Sequence, residues 1–193
     1  MLNSPGTGRM PSVNQQPIQM TQDAGWFPAI QNLDHRTILA VLHFPHHALL
    51  SRLALKVSAS ADGWLYLLML PLILLIKPQQ GWEHINTVLL AFGIERSLYL
   101  ILKNTFRRRR PPMAIAGFQA VISAADRFSL PSGHTSAAFL CVTLLCFTLS
   151  WLFLPLYLWA TGVGASRVIL GVHFPTDIVL GALLGSSVAF LTI

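Results

Sequence analysis

PSGHTSAAFLCVTLLCFTLSWLFLPLYLWATGVGASRVILGVHFPTDIVLGALLGSSVAFLTI, residues 131–193, is the stretch that decides the fold. It holds three apolar runs, Thr135–Leu154, Leu156–Val172 and Thr176–Ile193, and its only formally charged residues are Arg167, toward the end of the second of these, and Asp177, at the start of the last. Each run approaches the ~20 residues that carry a helix across the hydrocarbon of a bilayer. Two further runs lie upstream, about Val57–Ile76 and Ile85–Leu102. In lipid every backbone N–H and C=O must be bonded internally, so a span is a helix or a closed barrel. Barrel strands are short and alternate in polarity, whereas these runs are continuously apolar. The expected fold is therefore all-α, an integral-membrane bundle of about five transmembrane helices.

Composition agrees. The chain is 53% hydrophobic and 10% charged over 193 residues, with a net charge of +6, a membrane composition. The partners this implies are the lipid bilayer and a lipid-borne anion, not a nucleic acid. Residues 1–33 differ, being rich in Gln, Asn, Pro and Ser with prolines at 5, 11, 17 and 28. They read as a polar, flexible tail and lack the basic start and apolar stretch of a secretory signal. Between 34 and 58, leucines at 39, 42, 49 and 53 recur at helical spacing among Arg36, His43, His46, His47, Arg52 and Lys56. That pattern predicts an amphipathic surface helix, kinked or divided at Pro45. The membrane domain then covers 34–193, its transmembrane core 59–193. Cys141 and Cys146 lie within one apolar run and behave as small hydrophobes. No metal is assigned to them or elsewhere, and no cofactor is expected. Gly181 and Gly185 give the last helix a small face for close packing.

Three polar segments stand at the ends of these runs. Lys103 closes the second run, and Arg107, Arg108, Arg109 and Arg110 follow before Pro111. Lysine supplies a compact charge and arginine a planar fork, the donors that phosphate needs, although a basic helix end also serves as an interfacial anchor. Pro131, Ser132, Gly133 and His134 precede the third run. Pro and Ser suit a helix start, and glycine lets an anion approach the exposed N–H groups there. Arg167 is followed by His173 and, four residues later, Asp177. If the last helix begins early, that spacing puts His173 and Asp177 on one face, either as a structural pair or with the carboxylate fixing the imidazole tautomer and leaving the other ring nitrogen as a nucleophile. With helices running up and down, the ends at 103, 134, 167 and 177 meet on one membrane face.

In order, K-x6-R-P at Lys103–Pro111, P-S-G-H at Pro131–His134 and S-R-x5-H-x3-D at Ser166–Asp177 resemble the three signatures of the type 2 phosphatidic acid phosphatase superfamily. The resemblance implies metal-independent hydrolysis of a phosphomonoester or pyrophosphate through a phosphohistidine. His173 is then the nucleophile, Asp177 orients it, and His134 protonates the leaving oxygen and later activates water. Lys103, Arg110, Ser132, Gly133 and Arg167 are implied to hold the phosphoryl oxygens. The expected substrate is a lipid phosphate or pyrophosphate, with undecaprenyl pyrophosphate ahead of phosphatidic acid or phosphatidylglycerophosphate. A lipid phosphotransferase and a non-catalytic anion-binding or transport protein are the competing readings.

Members of that superfamily commonly have six spans, and the first is missing from this pattern. Most of the 13 Lys and Arg lie on the side of the motifs, which by the positive-inside tendency favours the cytoplasm. Similarity to small bacterial relatives instead implies a bacterial inner-membrane protein with an extracytoplasmic site, and this is the expectation adopted. Glu95 and Arg96 are charges deep in the second run, expected to be a structural pair. The largely apolar loop between Pro112 and Leu130 lies beside the charged segments and has two readings, a segment that dips into the interface and admits a lipid from the side or a cap on the scaffold.

Overall fold

The computed structural model describes residues 28–193, all of them helical or in connecting turns, with one isolated bridge between Arg109 and Phe128. The prolines at 5, 11 and 17 lie outside the described residues. The helices are α1 (Pro28–Leu42), α2 (His47–Ala59), α3 (Trp64–Leu67), α4 (Met69–Ile76), α5 (Gly81–Phe106), α6 (Pro111–Ala114), α7 (Gly133–Leu144, prolonged by a π turn Leu145–Leu149), α8 (Leu156–Ile169) and α9 (Pro175–Thr192).

Among the described residues three helices are long and apolar enough to cross a membrane: Gly81–Phe106, Trp151–Ile169 and Pro175–Thr192. Gly133–Leu149 is a shorter apolar helix, wrapped by its neighbours. The run 57–76, expected as one span, does not form one helix. Asp62 and Gly63, with Gly63 at φ 101°, break it into the end of α2, then α3 and α4; glycine takes this backbone without the Cβ clash another residue would meet. The helix expected over 34–58 starts earlier, at Pro28, and is divided where Pro45 stands. Its two parts, with α3 continuing the second, are bent by 108°. α2 packs one face along α8, burying Ser51, Ala54 and Ser58, with His47 Nε2 3.1 Å from the Ile169 carbonyl, and leaves Arg52, Leu53, Leu55 and Lys56 exposed on the other.

α7 and α9 form the tightest pair, because small residues let their backbones approach. A Cβ on Gly185 would stand 2.1 Å from the Ser136 carbonyl oxygen, and one on Gly181 2.7 Å from that of Ser132. Apolar packing sits on both sides of α7. Ile73, Val88, Leu140, Leu144 and Val188 form one cluster, and Ala138, Val142, Ala160 and Val163 another. A third cluster lies at the polar end of the bundle, where Ile115 and Phe118 of the 115–130 connection pack on Ile38 of α1 and Phe174 ahead of α9. That connection is thereby held across the helix ends where the three motifs lie.

Candidate active site

In the last two turns of α5, Tyr99 and Lys103 share a face, as residues four apart do, and Lys103 Nζ lies 2.5 Å from the Tyr99 hydroxyl. α5 then stops because Arg107 adopts a left-handed conformation, φ 47°, its Nε bonded back to the Asn104 carbonyl at 2.9 Å. The reversal carries Arg108 and Arg110 under the ends of α9 and α5. Arg110 is almost wholly buried. Its Nε donates to the Asp126 carbonyl at 3.0 Å, its Nη2 to the Asp126 carboxylate, and its Nη1 to the Val172 carbonyl at 2.6 Å. Nη1 also lies 3.2 Å from His173 Nε2.

His173 sits between α8 and α9. The turn that holds it closes on Arg167, whose carbonyl accepts from the Val172 and His173 N–H groups at 3.1 and 3.3 Å. Pro175 then starts α9, with φ preset for the first helical turn. Asp177 stands in that turn, where the helix dipole favours a carboxylate. Its Oδ2 accepts the Phe174 N–H at 2.8 Å and its Oδ1 the Arg108 guanidinium at 2.7 Å. His173 Nδ1 is 3.6 Å from Asp177 Oδ2, inside ion-pair range and just beyond a formed hydrogen bond. On the opposite side of the ring, an arginine N–H can only donate, so Nε2 presents its lone pair to Arg110 and the proton belongs on Nδ1, toward Asp177. Burial lowers the imidazole pKa to about 4, more than the Asp177 carboxylate raises it. The ring is neutral at physiological pH.

The P-S-G-H segment is locked to the same place by backbone. The Ser132 N–H donates to the Asp177 carbonyl at 3.0 Å, and Ser132 Oγ lies 2.9 Å from Thr135 Oγ1. The Ser132 side chain makes no capping bond to α7, which leaves first-turn N–H groups for an acceptor such as a phosphoryl oxygen. Gly133 is required by space: a Cβ there would stand 2.9 Å from the Tyr99 ring. His134 Nε2 pairs with Asp62 at 2.9 Å. Arg167 donates from Nη1 to Ser58 Oγ of α2 at 2.6 Å, while its buried Nε has no hydrogen-bond partner among the described residues.

Contacts therefore link the motif residues as follows. Lys103, Arg110, His173 and Asp177 form one network through Asp126 and Arg108. Ser132 and Gly133 touch it through Asp177 and Tyr99, and Arg167 through the His173 backbone. His134 is held apart on its own carboxylate. Three acids outside the motifs, Asp126, Asp34 and Asp62, do much of this holding together with Asp177. Asp126 bridges Lys103 and Arg110. Asp34 of α1, fully buried, accepts from Arg108 at 2.5 Å and from the Thr176 N–H and hydroxyl. Asp62 holds His134, and Asp177 takes Arg108 as well as His173. A signal for them existed: the chain has only seven Asp and Glu, and an acid within a basic membrane edge seldom lacks a partner. Glu95 and Arg96 do pair, at 3.8 Å, with Glu95 fully buried and Arg96 half exposed over the Tyr99 ring.

Beside Arg110 and Asp126 opens a cleft of about 560 Å³. Its wall is apolar, with Met113, Phe118, Val121, Ile122 and Val172, and its polar end holds Arg110, Asp126 and Arg127.

The family model "PAP2 superfamily" matches residues 83–193. The decaprenylphosphoryl-5-phosphoribose phosphatase of Mycobacterium tuberculosis is 29% identical over 126 residues, 65% of this chain and 67% of that protein. Among solved structures, the transmembrane PAP2-type phosphatidylglycerolphosphate phosphatase of Bacillus subtilis aligns with a TM-score of 0.68 at 27% identity, covering 86% of this chain and 85% of that one. Aquifex aeolicus LpxE aligns with a TM-score of 0.70 at 25% identity, covering 90% and 98%. The chain belongs to the PAP2 superfamily and is an integral-membrane, all-helical phosphatase of lipid phosphates.

Proposed function

We propose that the protein hydrolyses a polyprenyl pyrophosphate such as undecaprenyl pyrophosphate by a metal-independent, two-step mechanism through phospho-His173. The observation that carries the mechanism is the setting of the His173 ring, with Asp177 beyond Nδ1 and Arg110 Nη1 at 3.2 Å from Nε2. A phosphoryl group drawn to Arg110 meets the Nε2 lone pair. In the first step the Nε2–P bond forms and the P–O bond to the leaving oxygen breaks, His134 giving that oxygen its proton. Asp177 takes the positive charge that develops on the ring. In the second step water attacks phosphorus, His134 accepts its proton, and the P–N bond breaks to restore the lone pair. Lys103, Arg110, Arg167, Ser132, Gly133 and the amino end of α7 hold the three equatorial oxygens, and phosphoryl transfer depends chiefly on such positioning and charge. Three cations and a helix end provide the compensation a divalent metal provides elsewhere.

Support for a long apolar substrate comes from the cleft beside Arg110, whose apolar wall can take the first segments of a lipid chain while its charged end faces the phosphate. The polyprenyl assignment draws on the likeness to the decaprenylphosphoryl phosphatase. The likeness to a phosphatidylglycerolphosphate phosphatase supports the second substrate, a glycerolipid phosphate. We place the site on the extracytoplasmic face of a bacterial inner membrane. The lysine and arginines at the site are retained to hold phosphate, so their number does not report orientation. Labelling Ser123→Cys in intact cells with a membrane-impermeant maleimide tests this; labelling only after the membrane is opened would reverse the orientation.

The test of function is phosphate release from purified protein in detergent, with chelator, across polyprenyl pyrophosphates, phosphatidic acid and phosphatidylglycerophosphate. Turnover with chelator, fastest on the polyprenyl pyrophosphate and lost in His173→Ala, is expected. Full activity of His173→Ala would sink the mechanism, loss with chelator its metal independence, and faster turnover of a glycerolipid phosphate the substrate.

A further inference from the structure

Lys103 and Arg110, two buried cations, share one anion. The Asp126 carboxylate takes Lys103 Nζ at 2.6 Å, Arg110 Nη2, and the Tyr99 hydroxyl at 2.8 Å. Its main-chain oxygen takes Arg110 Nε, so the outer edge of the guanidinium is filled by one residue. Asp126 Oδ1 and the Asp126 carbonyl oxygen together occupy the two-donor edge that two phosphoryl oxygens would take. The two partners differ in freedom. The side chains of Lys103 and Arg110 are 6% and 8% exposed, whereas that of Asp126 is 41% exposed. Asp126 also belongs to the irregular connection 115–130, while Lys103 is fixed in α5. If one member of this cluster gives way, it is Asp126.

We infer that Asp126 is a specificity-determining residue: its carboxylate occupies the phosphate position and yields it to doubly charged phosphate groups but not to singly charged phosphodiesters. This rests on the reading that Lys103 and Arg110 hold the substrate phosphate. A membrane surface is crowded with phosphodiester headgroups, each carrying one negative charge. A bare pair of buried cations there would be saturated by them. Against Asp126 a phosphodiester exchanges one unit of charge for one, and must also fit two ester arms where the carboxylate has none. A phosphomonoester or terminal pyrophosphate brings about two charges and three free oxygens, so its attraction to Lys103 and Arg110 is roughly doubled at equal distance. The same carboxylate thus keeps bulk lipid out and admits the group to be hydrolysed. Burial would raise its pKa, but hydrogen bonds from Lys103, Arg110 and Tyr99 outweigh that and hold it at about 2, so the competitor is charged at any working pH.

The test uses two soluble probes with the purified protein in uncharged detergent. Inorganic phosphate at about pH 8, a dianion, and dimethyl phosphate, a monoanion, are titrated calorimetrically. In the unaltered protein phosphate is expected to bind and dimethyl phosphate to bind about 100-fold more weakly; in Asp126→Asn and Asp126→Ser that ratio is expected to shrink about tenfold, because dimethyl phosphate gains most. A ratio unchanged in both, or both probes weakened together, would overturn the inference and assign Asp126 to fixed support of Lys103 and Arg110. Should neither variant fold, hydrogen exchange in the unaltered protein decides. Phosphate is expected to speed exchange of amides 119–128 as Asp126 is released, and unchanged or slower exchange overturns the inference. Lys103→Ala separates the two levels: if it binds phosphate as tightly as the unaltered protein, the parent reading of the cradle fails, and Asp126 with it.

Discussion

Replacing Gly185 by alanine adds one methyl group at the closest point between α7 and α9, and the structure says why that should matter. The new Cβ would lie 2.1 Å from the Ser136 carbonyl oxygen and 2.9 Å from both Ser136 C and Leu140 N. All three are main-chain atoms of a continuous helix, so no side chain can turn aside. Restoring an ordinary contact of 3.4 Å requires α9 to move out by about 1.3 Å. Overpacking of this kind costs about 1–3 kcal/mol. The displacement also reaches the site, because the same pair of helices carries the Ser132 N–H to Asp177 carbonyl bond of 3.0 Å. A 1 Å misplacement of reacting groups can cost about 100-fold in rate. Gly185→Ala is therefore expected to unfold at lower temperature in detergent and to release phosphate at about one hundredth of the unaltered rate. Gly93→Ala is the control, since a Cβ there meets nothing within 4 Å and alanine favours the helix by about 0.5–1 kcal/mol. Unaltered melting and activity within twofold in Gly185→Ala would refute the packing argument.

Asp34→Ala leaves Arg108 with Asp177 as its remaining acid and the part-buried Thr176 N–H without its acceptor, a loss of about 1–3 kcal/mol; in denaturation in mixed micelles Asp34→Asn is expected to lose less. For His173, the free imidazole titrates near 6.5 and the folded one at about 4. Between those values the unfolded chain binds a proton that the folded one does not, so stability is full above about pH 6.5 and falls as pH drops toward 4, by about 3 kcal/mol in all. His173→Gln should flatten that slope; an unchanged slope would assign it to other groups. Asp62→Asn removes the charged partner of His134 and is expected to lower kcat with little change in KM, read from steady-state rates.

Much of this site is legible in residue order because its chemistry is placed at helix ends, and helix ends follow from where apolar runs stop. Lys103, His134, Arg167 and Asp177 could be brought to one face by counting crossings. Pro45 marked the division of the amino-terminal helix for the same local reason, a missing N–H. What could not be read were pairings across long separations. Asp34 meets Thr176 from 142 residues away, Asp126 meets Lys103 from 23, and Asp62 meets His134 from 72. Such partners are chosen by how helices pack, and hydrophobic period carries no record of them. The run 57–76 misled because apolar content alone does not make a continuous helix, and Gly63 at φ 101° ends one within it.

The claim on which the account turns is a covalent bond between His173 Nε2 and phosphorus. Purified protein mixed with radiolabelled lipid pyrophosphate, quenched in alkali where phosphohistidine survives, and digested for mass spectrometry measures it directly. Label on the peptide bearing His173, formed and lost at the rate of turnover and absent in His173→Ala, is the predicted result. Turnover without labelled protein, or label on His134, would contradict the account.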